Sequence, residues 1–99
     1  MSYKLRFTQA ARDDLLRLYE FQLDRDLAVA ERALEAVTKA LELLRDFPFS
    51  CRKATTDNSF LREMVIPFGS AGYVALFEIE NDTVVTILAV RHQLEEDYH

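Results

Sequence analysis

An unbroken apolar seam between residues 30 and 44 constrains the fold more than any other feature of the sequence. Its members are separated by steps of four and three residues, and they are Ala30, Leu34, Val37, Leu41 and Leu44. This spacing places every member on one face of an α-helix, whereas the faces of a strand alternate at every second residue. A second stripe of mostly small side chains lies beside the seam and allows close approach of another element: Ala33, Ala36, Ala40 and Leu43. The pattern predicts a helix over Leu27–Asp46, with Asp26 as its N-cap and Phe47-Pro48 as its end.

The preceding segment predicts another helix, over Gln9–Asp24. Thr8 resembles an N-cap, and two early acids, Asp13 and Asp14, stand where the helix dipole favours negative charge. The positions at helical spacing are Ala11, Leu15, Leu18, Tyr19 and Gln22. Because the gap between the two helices is very short, we expect them to form an antiparallel hairpin.

Strand patterns stand on both sides of this hairpin. Residues 3–7 alternate strictly between apolar and basic side chains, which is typical of a strand with one face on a core. The segment Phe49–Asn58 has no period and is interpreted as a connecting loop. The predicted later strands are Leu61–Ile66, Tyr73–Glu80 and Thr83–Val90, joined by a turn over residues 67–72 and by Asn81-Asp82. The sequence therefore predicts an α+β fold, with four strands in an antiparallel sheet and the helical hairpin on one face.

Length and charge limit the function classes. The chain has 99 residues, which indicates one domain spanning residues 1–99. Its net charge is −5, and from Glu63 onward a single base, Arg91, faces seven acids. Direct binding of nucleic acid is not expected, because phosphate contacts need clustered Lys and Arg.

The lone cysteine, Cys51, fits a reducing compartment, because it cannot form an intramolecular disulfide. There is no apolar run approaching the roughly 20 residues that span a bilayer, and the first residues do not resemble a signal peptide. We therefore expect a cytoplasmic protein with no membrane contact.

Several side-chain groups are candidates for chemistry, and each has a simpler structural interpretation. His92, Glu95, Glu96 and His99 have the chemistry of metal ligands, but they also fit a solvated acidic tail. Cys51 stands before Arg52 and Lys53 and has no neighbouring histidine in sequence, as is usual for an ordinary thiol. Glu78 and Glu80 share a strand face, where exposure to solvent is the simpler role. Residues 69–72 lack the lysine of a phosphate loop, and nothing in the sequence predicts a cofactor or a metal.

A ribonuclease on such a scaffold would use cations beside the scissile phosphate and a group for proton transfer. The candidates are Arg62, Arg91, His92 and Tyr98. Their simpler roles are a surface ion pair for Arg62, an exposed strand end for Arg91 and His92, and ring packing for Tyr98. Alternatively, the sheet edges and the helical hairpin can serve a protein partner.

Four segments and the chain's end together resemble the ParE toxins of the RelE/ParE superfamily. The segments are FTQAARDDL (residues 7–15), ALELLRDFP (40–48), LREMVIPFGSAGY (61–73) and ILAVRHQ (87–93), followed by Asp97 and Tyr98. The resemblance implies a toxin of a type II toxin–antitoxin system, held inactive by the C-terminal segment of a cognate ParD-like antitoxin. It also implies that the complex represses its own operon. ParE-like members are associated with DNA gyrase, whereas RelE-like members cleave mRNA on the ribosome.

Two positions favour the ParE branch. RelE-like ribonucleases carry an arginine just before the turn where this chain has Gly69. They also carry basic residues after the last strand, where this chain is acidic beyond His92. We therefore expect a gyrase inhibitor that is not an enzyme, with Arg62, Tyr73, Arg91, His92 and Tyr98 as partner-binding candidates. The alternatives are a ribosome-dependent mRNA endoribonuclease using Arg62, Arg91, His92 and Tyr98, or a weakly toxic module acting mainly in operon regulation.

Overall fold

The protein is an α+β structure in which a helical hairpin packs on one face of a five-stranded sheet. The computed structural model describes residues 2–93. Its elements in chain order are β1 (Lys4–Phe7), α1 (Gln9–Leu23), α2 (Leu27–Glu42), β2 (Arg52–Lys53), β3 (Leu61–Phe68), β4 (Ala71–Ile79) and β5 (Val84–His92). Two 3₁₀ turns, Leu43–Arg45 and Pro48–Ser50, follow α2.

Both helices begin where the sequence predicts. The Thr8 hydroxyl accepts a hydrogen bond from the Ala11 amide at 3.0 Å, and an Asp26 carboxylate oxygen accepts one from the Ala28 amide at 2.7 Å. Each cap satisfies an amide that has no partner within its helix. The α-helical part of α2 ends at Glu42, not at Asp46, because residues 43–45 tighten into a 3₁₀ turn ahead of Pro48.

The strand order is β1-β5-β4-β3-β2, with five strands where four were predicted, and the predicted direction of β1 is wrong. β1 pairs with β5 in parallel, not antiparallel, with Lys4 opposite Val84 and Phe7 opposite Ile87. The reason is the path of the helical hairpin. Its turn lies at the same end of the sheet as Tyr73, and α2 brings the chain back to the start of β1, where the Tyr3 amide donates to the Arg45 carbonyl. β3 therefore runs in the direction of β1, and two further reversals give β5 the same direction.

The segment Phe49–Asn58 also differs from the prediction of a loop. Its residues Arg52 and Lys53 form the short edge strand β2, opposite Glu63 and Arg62 of β3. Beyond these two pairs the outer edge of β3 has no strand partner among residues 2–93. Pro67 lies on this outer strand. Proline has no N–H to donate to a neighbouring strand, and this loses fewer sheet hydrogen bonds on an outer strand than on a central one.

The β3–β4 hairpin is tighter than predicted, because pairing extends to Phe68 opposite Ala71. Gly69 takes the turn with φ 62°. Gly72 has φ 152°, and a Cβ there would stand 2.3 Å from the Ile66 carbonyl oxygen, so only glycine fits. The β4–β5 connection is wider than a two-residue turn. It spans residues 80–83, and the Asn81 side chain accepts hydrogen bonds from the amides of Thr83 and Val84.

One hydrophobic core lies between the hairpin and the sheet. Its fully enclosed members include Val37, Leu41, Leu44, Phe77 and Ile87. No helix among residues 2–93 covers the opposite side of the sheet, which we call the open face. We call the end of the sheet with Tyr73 and His92 the Tyr73 end, and the end where Phe60 precedes β3 the Phe60 end.

Candidate functional site

The strand register brings three of the five candidate side chains to the Tyr73 end. Tyr73 lies opposite His92, and the neighbouring pair is Val74 with Arg91. Because paired residues share a face of the sheet, His92 lies on the helix side with Tyr73, whereas Arg91 lies on the open face. The two basic residues therefore project from the same strand end in opposite directions.

Tyr73 is a buried packing residue that carries one polar group. Its exposed fraction is 2%, and its hydroxyl accepts a hydrogen bond from Gln22 Nε2 at 3.1 Å. The rings of Tyr73 and His92 pack edge to face, with 5.4 Å between their centroids. Phe68 packs on Tyr73 at 6.1 Å. The aromatic contact orients the His92 ring, and the Gln22 bond joins this end of the sheet to the last turn of α1.

Asp14 is a functional-site neighbour that the sequence argument missed. Its exposed fraction is 5%, and Oδ2 accepts a hydrogen bond from the Val90 amide at 2.9 Å. This amide lies beyond the last β1 pair, where β5 would otherwise present an open edge. Oδ1 forms an ion pair with Arg17 at 3.0 Å, and Oδ2 lies 3.8 Å from Arg91 Nε.

A signal for Asp14 was present in the sequence. Asp14 stands four residues before Leu18 and eight before Gln22, so it falls on the buried stripe of α1. An acid on a buried stripe needs a partner, because burying an unpaired carboxylate is costly. The predicted role at the helix dipole is wrong for both early acids, Asp13 and Asp14, because neither lies in the first turn of α1, and the Asp14 carboxylate binds the edge of β5 instead.

Arg62 lies far from the other candidates. It pairs with Phe77, four residues along β4 from Tyr73, which corresponds to about 14 Å at the usual rise of a strand. Its Nε donates to the Ser59 carbonyl at 2.6 Å. Its Nη1 donates to the carbonyls of Cys51 at 2.8 Å and Phe49 at 3.2 Å. The guanidinium also stacks 5.3 Å from the centre of the Phe49 ring. The surface ion pair predicted as its simpler role is formed instead by Arg52 with Glu63, at 2.7 Å.

The remaining chemical candidates do not assemble into a reactive centre. Tyr98, Glu95, Glu96 and His99 lie outside the described residues. Burial raises the pKa of the Cys51 thiol and outweighs the Ser50 hydrogen bond and the Arg62 charge, which both lower it. The protonated thiol is therefore favoured. Glu78 lies on the open face, and Glu80 follows β4 and accepts a hydrogen bond from Thr86. Within residues 2–93, no group of three or more His, Cys, Asp or Glu side chains is arranged to hold a metal ion.

The hairpin carries an apolar depression on its outer surface, which we call the hairpin groove. It is lined by Leu15, Leu16, Tyr19 and Leu34. Leu16 is 57% exposed, and Leu23 and Leu27 extend the apolar surface towards the hairpin turn. Clustered exposed leucines on a small domain indicate a protein interface. In the described part of the chain, no helix is long and apolar enough to cross a membrane.

Comparisons with known proteins identify relatives of the chain. The family described as the ParE toxin of the type II toxin–antitoxin system parDE matches residues 5–97. Toxin RelE3 of Caulobacter vibrioides is 33% identical over 85 residues, covering 86% of this chain and 88% of that protein.

Solved structures agree in fold. The chromosomal ParDE system of P. aeruginosa superposes with a TM-score of 0.75 at 15% identity, covering 92% of this chain and 96% of that one. The RelBE2 toxin–antitoxin complex of Mycobacterium tuberculosis gives 0.66 at 27% identity, covering 94% and 100%. A mutant of E. coli RelE in the free state gives 0.64 at 19% identity, covering 99% and 88%.

Proposed function

The chain belongs to the ParE toxin family of type II toxin–antitoxin systems, and on this premise we propose that it inhibits DNA gyrase through protein contacts. In this proposal a cognate ParD-like antitoxin neutralises it in the cytoplasm. The exposed end of β5, with Arg91 and His92, supplies contacts to the target, and no catalytic step is involved.

The dispersion of the candidate cations carries the proposal. Cleavage of RNA needs positive charge gathered around one phosphate. The negative charge that develops on this phosphate is stabilised most strongly by preorganised hydrogen-bond donors. Arg62 instead donates hydrogen bonds to three backbone carbonyls at the other end of β4. Arg91 lies beside the buried carboxylate of Asp14, which offsets part of its charge. A net charge of −5 adds a further barrier to association with ribosomal RNA.

Ribosome-dependent mRNA cleavage is the second candidate, and two observations favour it. A relative at 33% identity carries the name Toxin RelE3. Arg91 and His92 also stand together at one strand end, so a cation and a proton-transfer group are close along the chain, although they face opposite sides of the sheet.

An antitoxin partner has independent physical support. The hairpin groove exposes aliphatic side chains that an unpartnered domain would be expected to bury. An amphipathic helix fits such a groove through side chains at helical spacing. We propose the groove as the surface that the antitoxin covers.

A supercoiling assay tests the target. Relaxed plasmid is incubated with purified gyrase, ATP and increasing toxin, and we expect supercoiling to be lost. The Arg91→Ala/His92→Ala variant is expected to need at least about 10-fold more toxin, a loss typical of interface contacts. Lys39→Ala, which removes an exposed cation from α2, is the control and retains full inhibition.

The supercoiling assay and the mapping of mRNA ends in cells that express the toxin distinguish the two candidates. Undisturbed supercoiling at a large molar excess of toxin would contradict gyrase inhibition. New mRNA ends at codon spacing after induction would establish the ribonuclease, and their absence would exclude it.

A further inference from the structure

The Phe60 end exposes three aromatic side chains to solvent. Phe47 is 63% exposed, Phe49 48% and Phe60 51%. The rings of Phe49 and Phe60 meet edge to face, with 6.1 Å between their centroids. Exposed aromatic side chains beside an arginine have the composition of binding hot spots.

Hydrogen bonds hold the backbone that carries Phe49 and Phe60 in place. The Asn58 side chain accepts a hydrogen bond from the Phe60 amide at 2.9 Å, and the Phe60 carbonyl accepts one from the Ile79 amide at 2.8 Å. Arg62 fixes the other side through its bonds to Ser59 and Phe49. A partner therefore loses little affinity to the ordering of this surface.

Two carboxylates border the same surface. A cleft of about 370 Å³, which we call the Phe60 cleft, is lined by Asn58, Phe60, Glu78, Ile79 and Glu80. The nearby Glu63 is neutralised by its ion pair with Arg52. No Lys or Arg among residues 2–93 forms an ion pair with Glu78 or Glu80. By register, the nearest cations on the open face are Arg6, opposite Thr86, and Lys4, opposite Val84, each two strands away or about 10 Å.

The Phe60 cleft and the hairpin groove lie on different parts of the molecule. The Gln22–Tyr73 bond places the hairpin turn at the Tyr73 end, whereas the Ile79–Phe60 bond places the cleft at the far end of β4. The longest dimension of the molecule is 39 Å, which about 12 extended residues can span. One extended segment of a partner can therefore reach both surfaces, as chains that order on binding commonly do.

We propose that the Phe60 cleft is a second anchor for the antitoxin and takes a segment in which Lys or Arg stands beside an aliphatic side chain. The aliphatic group packs on Phe60, and the cation lies between Glu78 and Glu80. This inference rests on the proposed antitoxin partnership. At this contact the toxin carries the negative charge and the antitoxin carries the positive charge, in accord with the acidic second half of the chain.

Binding kinetics of the full toxin with its full-length cognate antitoxin test the anchor at two salt concentrations. For the Glu78→Gln/Glu80→Gln variant we expect the association rate to fall roughly 3- to 10-fold in low salt. Glutamine keeps an acceptor for Thr86, so the fold is preserved. The difference from wild type should shrink in high salt, where charges are screened. For Phe60→Ser we expect dissociation about 10-fold faster at both salt concentrations.

The matched control is Glu31→Gln/Glu35→Gln, which removes the same two charges from the exposed side of α2. Equal losses for the two charge variants would overturn the inference, because net charge alone would then explain them. Unchanged kinetics for Glu78→Gln/Glu80→Gln and Phe60→Ser would also overturn it while leaving the antitoxin partnership intact. Loss of gyrase inhibition without loss of antitoxin binding would assign the cleft to the target instead. Failure of the wild-type proteins to associate would refute the partnership itself and this inference with it.

Discussion

Arg62 and Arg91 show how surroundings decide what a charged residue can do. Both were candidates for the same chemistry on residue type alone. Arg62 packs against a loop whose carbonyls accept its N–H groups, so its planar guanidinium acts as a clamp between β3 and the segment before it. Arg91 emerges on the open face at a strand end and is 53% exposed, so a partner can reach its guanidinium even though Asp14 Oδ2 lies 3.8 Å from Nε.

Replacing Arg62 should therefore cost stability. We expect Arg62→Ala to lower the free energy of unfolding by about 1–2 kcal/mol, because carbonyls bonded to a charged donor lose it. Arg62→Lys should recover little of this loss, because an ammonium group cannot reproduce the planar fork. Urea denaturation followed by circular dichroism measures both.

Arg52→Lys is the control for Arg62, since Arg52 forms an exposed ion pair that should be worth less than about 0.5 kcal/mol. A fully stable Arg62→Lys protein would show that only the charge of Arg62 matters. It would also return Arg62 to the group of candidate phosphate ligands.

At the scale of elements, the sequence predicts the structural features that depend only on neighbouring residues. The helical periods and the two N-caps are recoverable from the sequence because each depends on residues within one or two turns. The direction of β1 relative to β5 depends on the whole path of the chain, and only counting reversals reveals it. The pairing of Arg52 with Glu63 was missed because a two-residue edge strand leaves no periodic signal.

The contact between α1 and β5 depends on one carboxylate at the end of a strand ladder. We expect Asp14→Ala to destabilise the protein by about 2–3 kcal/mol, because the buried Val90 amide loses its acceptor. Asp14→Asn keeps an oxygen acceptor and should cost less. Amide hydrogen exchange gives a local measure, since protection of the Val90 amide should fall in Asp14→Ala and largely persist in Asp14→Asn.

The neighbouring acid provides the control for Asp14. Asp13 is exposed and accepts a hydrogen bond from Gln9, one turn earlier in the helix, so Asp13→Ala should change stability by less than about 0.5 kcal/mol. If the Val90 amide stayed protected in Asp14→Ala, another group would have to satisfy the edge of β5.

At the scale of the whole molecule, the candidate site could be predicted only in part. The convergence of Tyr73 and His92 follows once strand register is known, and adjacent antiparallel strands make that register accessible from the turn. The separation of Arg62 from these residues could not be read from the sequence. It depends on how far β3 and β4 extend and on which loop folds against their far end. The exposed leucines on the hairpin also escaped notice, because a helical stripe does not reveal which flank the core leaves uncovered.

That uncovered flank leads to a prediction for the complex. We expect Leu16→Ser to weaken antitoxin binding about 10-fold, because a leucine buried at an interface contributes roughly 1.5–3 kcal/mol. The loss should be independent of ionic strength, in contrast to the charge variant at the Phe60 cleft, because no charge is removed.

Phe21→Ser is a matched control: Phe21 lies on the same helix and is 59% exposed against 57% for Leu16. It faces about 140° away around the helix axis. Calorimetric titration with the antitoxin at two salt concentrations measures both variants. Equal losses for Leu16→Ser and Phe21→Ser would mean that the antitoxin does not distinguish the groove from the rest of the hairpin.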